Sequence, residues 1–307
     1  MNKRIFFFRL LIVVFTSLLI CGIVLYTRYS KYPAKSLALI RVSNSICYNA
    51  NIQHLAAKTN IDQVECLVLG SSISLNNLSA GAIEQSLGKK TYNLSSWGFP
   101  LYRSVEFFKE VQPEKCRQVI IAFDNIDFAA DYRDRVYDFS LSKKFLTGNR
   151  LLQIFVVMKS FNFLKFDSDT KFKDSTIRGS ALDFDNNGSV LLDHRRFPRS
   201  DEKLKTFRDT TGFAMFTGKL QELKELLHKT DCRLVLVYVP YRSDVLNRDQ
   251  LRANDFVAAT LKKEIGKEFI DLHREAIPDS MFWDGSHLYS DGAALLTSRM
   301  LVEMNKK

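Results

Sequence analysis

The chain has 307 residues, 46% apolar, 12% aromatic and 25% charged, with 24 Phe and 11 Tyr against only 13 Gly and 6 Pro. Such a composition excludes disordered, collagen-like and low-complexity chains, which lack the apolar surface to offset ordering entropy. Five Cys, no two of them two to four residues apart, exclude a disulfide-built scaffold and zinc fingers or ribbons. The net charge is +10, but the basic residues are interleaved with acids, as in Arg133-Asp134-Arg135, and the densest cluster is only His194-Arg195-Arg196. No basic helix or aromatic-plus-basic motif points to nucleic acid as a partner.

Leu10 to Tyr26 carries no charge and is preceded by Ile5-Phe6-Phe7-Phe8 and a single Arg9. As a helix it rises about 25 Å, the short end of what spans a bilayer, and a snorkelling Arg9 lets residues 5–8 join it. The following Thr27-Arg28-Tyr29-Ser30 has no small-residue cleavage site, and Ile20 before Cys21 is wrong for a lipoprotein signal. The expectation is an uncleaved signal anchor, with residues 1–9 a cytoplasmic tip, 10–26 the span and 27–60 a juxtamembrane connector. The main domain, 61–307, then lies in the periplasm or outside the cell.

From residue 61 a strand–helix rhythm appears. Apolar runs at 66–69, 119–123, 234–239 and 269–272 are bounded by turn residues, as expected of strands buried on both faces, and Lys90-Thr91-Tyr92-Asn93-Leu94 is a further strand candidate. Helical spacing fills 79–87, with Ser79 and Gly88 as caps, then 102–111, 213–227 and 248–265. The pattern predicts an α/β fold: a three-layer sandwich around a five-stranded parallel sheet, with its site at the carboxyl edge. Residues 129–205 break the rhythm and read as an insertion packed over one end of the sheet, with Asp185-Asn186-Asn187-Gly188 a hairpin or β-turn. Within it, Leu151–Val157 is too short to span a membrane and reads as a core helix or a strand. Cys66, Cys116 and Cys232 each precede a predicted strand, at the edge opposite the site. In an oxidising compartment one pair could bridge, with Cys47 a further candidate, and the sequence does not choose among them.

Three segments fall at or after predicted carboxyl strand ends. In Leu69-Gly70-Ser71-Ser72, a Gly permits a tight turn that presents a Ser to a cleft. In Asn93-Leu94-Ser95-Ser96-Trp97-Gly98, a loop Gly can aim its N–H at an oxyanion. In Trp283-Asp284-Gly285-Ser286-His287, an Asp three residues before a His can fix the imidazole tautomer while the other ring nitrogen faces a nucleophile.

This order of Ser, loop Gly and terminal Asp-x-x-His resembles the SGNH (GDSL-like) hydrolase superfamily, over about residues 62–127 and 230–303. With the anchor, the Gly-Ser-Ser block and the insertion, it is similar to that superfamily's membrane-anchored acyltransfer branch, which includes alginate O-acetyltransferases and D-alanyl transfer proteins. The resemblance implies a flavodoxin-like SGNH fold with Ser72 as nucleophile, His287 as general base and acid, and Asp284 as orienting carboxylate. Ser72 and Gly98 N–H groups would form the oxyanion hole. The superfamily's Gly-x-Asn-Asp block is replaced by Asp124-Asn125-Ile126-Asp127, with Asn125 nearest the place of the side-chain oxyanion donor and Ser71 a lesser nucleophile option. No metal or cofactor is implied.

The function expected is a serine O-acyltransferase, moving an acetyl group to a cell-envelope or secreted polysaccharide with a membrane-bound acyl-passing protein as possible partner. A carbohydrate esterase of the same fold and a non-catalytic tethered scaffold or glycan-binding partner are the alternatives.

Overall fold

The computed structural model describes residues 3–29, 39–128, 136–175, 182–200 and 210–306. Residues 30–38 of the expected connector, and 129–135, 176–181 and 201–205 of the expected insertion, lie outside these. The fold is α/β, with five parallel strands: β1 (Cys66–Leu69), β2 (Thr91–Asn93), β3 (Gln118–Phe123), β4 (Arg233–Tyr238) and β5 (Phe269–Asp271). Their order is β2-β1-β3-β4-β5, so the direction of winding reverses between β1 and β3. Carboxyl ends of strands at such a reversal splay their following loops apart and leave a crevice for ligands.

Alternate strand residues feed two separate apolar clusters. Leu67, Leu69, Val119, Ile121, Leu234 and Leu236 point to one face. Cys66, Val68, Ile120, Ala122, Val235 and Val237 point to the other. Because both faces are covered, every residue of β1 and β3 is buried, which accounts for their continuous apolar runs.

Among the described residues the α-helices, in chain order, are α1 (Lys3–Tyr29), α2 (Ile46–Lys58), α3 (Ser72–Asn77), α4 (Ala80–Leu87), α5 (Leu101–Val111), α6 (Phe139–Thr147), α7 (Arg150–Ser160), α8 (Phe163–Ser175), α9 (Thr210–Lys229), α10 (Arg248–Ile265) and α11 (Ser290–Asn305). The first cluster gathers side chains from α2, α5, α6, α9 and α10, and the second from α3, α4 and α11. Ser79 caps α4 by accepting from the Ala82 N–H, and Gly88 ends it at φ +63°, a conformation that favours glycine.

Helix α1 contains an apolar segment, Arg4–Gly22, long enough to cross a membrane, and none of it is buried against the rest of the chain. Residues 39–60 do not act as a connector. Ile40, Val42, Tyr48, Ile52 and Leu55 are buried in the first cluster, and Tyr48 stacks on Phe99 at 5.7 Å, so α2 belongs to the domain. The segment Leu151–Val157 is helical, within α7, but it is not a core helix: only Val156 of α7 is buried. Asp185–Ser189 forms a tight turn closed by Asp185 N–H to Ser189 O, rather than a hairpin of strands. Cys116 and Cys232 meet as free thiols with sulfurs 3.8 Å apart, and Cys47 and Cys66 are also buried free thiols.

Candidate active site

At the end of β1 the chain turns through Gly70, whose φ of +132° is a backbone conformation that L side chains rarely adopt. A Cβ there would lie 2.6 Å from Ser74 Oγ. That hydroxyl is already committed: it donates to Ala122 O and accepts from Ala122 N–H, each at 2.8 Å, stitching α3 to β3. Ser71 caps α3 by accepting from the Ile73 N–H at 3.2 Å, which puts Ser72 at the first helical position, half-buried. Ser71 is therefore a capping residue, and its hydroxyl makes no bond to His287.

The line of hydrogen bonds starts at Ser72. Its Oγ lies 2.9 Å from His287 Nε2, and His287 Nδ1 lies 2.8 Å from Asp284 Oδ2. The other carboxylate oxygen, Oδ1, accepts from the N–H groups of Ser286 and His287 at 2.8 and 2.7 Å. A carboxylate acceptor at Nδ1 places the ring proton there and leaves the Nε2 lone pair to take the Ser72 proton. Ser72, Asp284 and His287 are thus brought together, across more than 200 residues of sequence.

The electrostatics match this arrangement. Burial opposes ionisation of Asp284, but the charge of His287 and the hydrogen bonds from its ring and from two backbone N–H groups outweigh burial and bring the carboxyl to about 2. For His287, burial disfavours the imidazolium. The Asp284 charge and hydrogen bond, with Asp124 and Asp127 behind them, outweigh burial and raise the ring above its ordinary value.

Gly98 sits in a buried turn, closed by Phe99 N–H to Ser96 O, at φ +60°. Ser96 N–H donates to Gly70 O at 3.0 Å, so this loop lies against the turn that carries Ser72. Asn125 is engaged elsewhere. Its amide donates to Asn254 Oδ1 at 2.5 Å and accepts from Tyr238 OH at 2.6 Å, so the side chain is tied to β4 and α10 rather than to the Ser72–His287 line. Two polar partners far away in sequence hold this side chain in place.

Sequence reasoning missed three contributors. Asn77, fully buried, donates to Ser286 O and accepts from Leu288 N–H, each at 2.8 Å. Asp124, also fully buried, has one oxygen on the Ile126 N–H and lies beside the Ser286 side chain. Burial raises its carboxyl to about 6, against the opposing pull of His287. Burial and the Asp124 charge also raise neighbouring Asp127. The third is segment 189–200, within the expected insertion. Pro198 O accepts from the Trp283 indole at 3.1 Å, Phe197 O from Tyr289 OH at 2.7 Å, and Ser200 N–H donates to Trp283 O. It buttresses the His287 loop from outside. The only available signal was two Asp directly after an apolar strand, and nothing marked the other two contributors.

Among the described residues, no group of three or more His, Cys, Asp or Glu is arranged to hold a metal ion. The chain matches no protein-family model and no curated protein sequence.

Proposed function

We propose that the chain is a membrane-anchored serine O-acyltransferase with a three-layer SGNH-type fold, moving an acyl group, acetyl in the simplest case, onto a cell-envelope or secreted polysaccharide. The observation that carries the reading is the unbroken line Ser72 Oγ–His287 Nε2, His287 Nδ1–Asp284 Oδ2 at the carboxyl edge of the sheet. A purely scaffolding domain has no need of that alignment.

In this mechanism Ser72 Oγ attacks the donor's acyl carbon as its proton passes to His287 Nε2. Ionised Asp284 stabilises the imidazolium. The N–H groups of Ser72 and Gly98 face the developing oxyanion. When the bond to the leaving group breaks, His287 returns the proton to that group, leaving acyl-Ser72. A sugar hydroxyl then gives its proton to His287, attacks the acyl carbon and releases Ser72, which recovers the proton. Helix α1 holds the domain at the membrane, with the domain on the extracytoplasmic side, where an acyl-passing membrane protein would supply the donor.

The test is acyl transfer from an aryl acetate to added oligosaccharide, followed by mass spectrometry, with the full chain and its Ser72→Ala variant. Transfer that disappears with Ser72→Ala supports the reading. Release of acetate without transfer at high acceptor concentration replaces it with an esterase. Equal acylation of glycan by both proteins overturns it.

A further inference from the structure

Helix α7 leaves a large apolar face uncovered. Leu151, Ile154, Phe155 and Met158 follow the spacing of one helical stripe, and they are 78, 55, 61 and 76% exposed. Leu164 at the start of α8 adds a further 80% exposed side chain. Val156, on the opposite side of α7, is the residue that packs into the domain. A contiguous apolar surface of this kind on a water-soluble domain marks a contact with something apolar.

Three observations identify what covers it. The first is position. Arg41 enters the domain shortly after α1; its N–H donates to Ser160 Oγ at the end of α7 at 3.1 Å, and its guanidinium pairs with Asp169 of α8 at 2.9 Å. Only the nine residues 30–38 separate Tyr29 from Leu39, and even fully extended they reach at most ~35 Å. The end of the domain that bears α7 is therefore the end tethered to α1. The second is charge. Between Asp138 and Asp167 the sequence holds Lys143, Lys144, Arg150, Lys159 and Lys165 and no Asp or Glu. The third is symmetry. A second copy docked on this face would bring two cationic fringes together, whereas anionic lipid headgroups complement them.

We infer that the α7 face lies in the interfacial layer of the bilayer, with its apolar stripe at the headgroup–acyl boundary and its lysines among the headgroups, as amphipathic interfacial helices do. It rests on the reading of α1 as a membrane anchor. Two membrane contacts fix the orientation of the domain, where a single anchor would not.

The test uses the full chain in vesicles of equal parts phosphatidylcholine and phosphatidylglycerol, with nitroxide labels read by electron paramagnetic resonance. Oxygen, which partitions into lipid, and a water-soluble nickel chelate serve as relaxants. The exposed native Cys21 reports on α1. Met158→Cys in a Cys21→Ser background reports on α7, and Val302→Cys, exposed on α11 at the other face of the sheet, is the aqueous control. The expected result is a label at 158 that collides with oxygen several-fold more, and with nickel several-fold less, than the label at 302. Free access of nickel to 158 overturns the inference, and if Cys21 remains lipid-embedded the anchor stands alone. Protection of 158 from both relaxants also overturns it, because the cover is then protein. A lipid signature at 158 with an aqueous Cys21 keeps the α7 contact and removes the anchor.

Discussion

Asn77, the last residue of α3, donates its amide to the backbone carbonyl of Ser286 at 2.8 Å. Its oxygen accepts the Leu288 N–H at the same distance, so one side chain grips the chain on both sides of His287. Since α3 begins at Ser72, this clamp joins the helix carrying Ser72 to the loop carrying His287. Asn77→Ala leaves a buried carbonyl and a buried N–H without partners, at a cost of about 1–3 kcal/mol each. The expected result is a lower urea midpoint and a kcat that falls more than KM changes on an aryl acetate, with Asn77→Asp, which keeps the acceptor for Leu288, less impaired in kcat. Unchanged kcat in a folded Asn77→Ala protein would show that the loop holds His287 without this clamp.

The second prediction concerns pH. In the proposed mechanism His287 acts as a general base in its neutral form, and Asp284 raises its pKa. Activity therefore climbs through a midpoint above the ordinary imidazole value of about 6.5. Asp284, held at about 2, stays ionised throughout that range. Asp284→Asn removes the charge and the ring-orienting acceptor. Its kcat/KM falls by about 10³–10⁴, and the residual acid limb moves to lower pH. The sign for stability is separate. Proton binding to His287 stabilises the fold below the unfolded pKa, and that contribution is lost as pH rises through the raised folded value. The depressed Asp284 contributes above the unfolded carboxyl value and is lost as pH falls towards about 2. The pH profiles of kcat/KM for both proteins check the shift.

Asp124 gives the opposite acid dependence. Its folded carboxyl is raised to about 6 by burial, so the fold favours its protonated form. That stability is present at low pH and declines as pH rises through the folded value. Asp124→Asn keeps an oxygen for the Ile126 N–H and cannot ionise. The thermal midpoint of the variant relative to the parent should therefore increase from pH 5 to pH 8. At one pH unit to about 1.4 kcal/mol, the gain is on the order of a few kcal/mol at most. A difference in midpoint that is flat with pH would show Asp124 titrating as an ordinary exposed carboxyl.

The parts legible in the sequence were those that local chemistry fixes. Strands covered on both faces must be apolar throughout, so β1, β3 and β4 stood out as continuous runs, and the end of β1 located Ser72, while the Gly98 loop follows the shorter, more polar β2. Asp284 and His287 were visible because a hydrogen bond three residues long needs only a turn. What escaped depends on partners far along the chain. Asn77 reads as a polar residue ending a short helix, and its meaning lies in carbonyl and N–H groups 209 and 211 residues away. Asn125 stands in a plausible place for an oxyanion donor, but Tyr238 and Asn254, 113 and 129 residues on, decide where its amide points. The apolar run Leu151–Val157 suggested a core helix or a strand because hydrophobicity reports a preference for leaving water, not whether the domain's own core receives it. Residues 39–60 carried too little periodicity to reveal that Tyr48 and Ile52 pack into the sheet's own cluster.

Gly70 is the position where backbone and chemistry meet most tightly. At φ +132° any side chain strains the backbone, and a Cβ 2.6 Å from Ser74 Oγ forces the hydroxyl that bridges both backbone groups of Ala122 to move. Strain of about 1–2 kcal/mol for the left-handed backbone adds to about 1–3 kcal/mol for overpacking. Ser72 is two residues on, and the 2.9 Å contact with His287 has little slack. Gly70→Ala is therefore expected to lower the urea midpoint by about 2–5 kcal/mol equivalent and, in whatever fraction stays folded, to reduce acylation of Ser72 by about 10²-fold, as a displacement near 1 Å does. Gly88→Ala is the control: its φ is also positive, but nothing lies within 4 Å of its Cβ, so it pays the backbone strain alone and leaves acylation intact. Equal loss of acylation in both variants would mean that Gly70 matters only as a turn former, without a part in aiming Ser72.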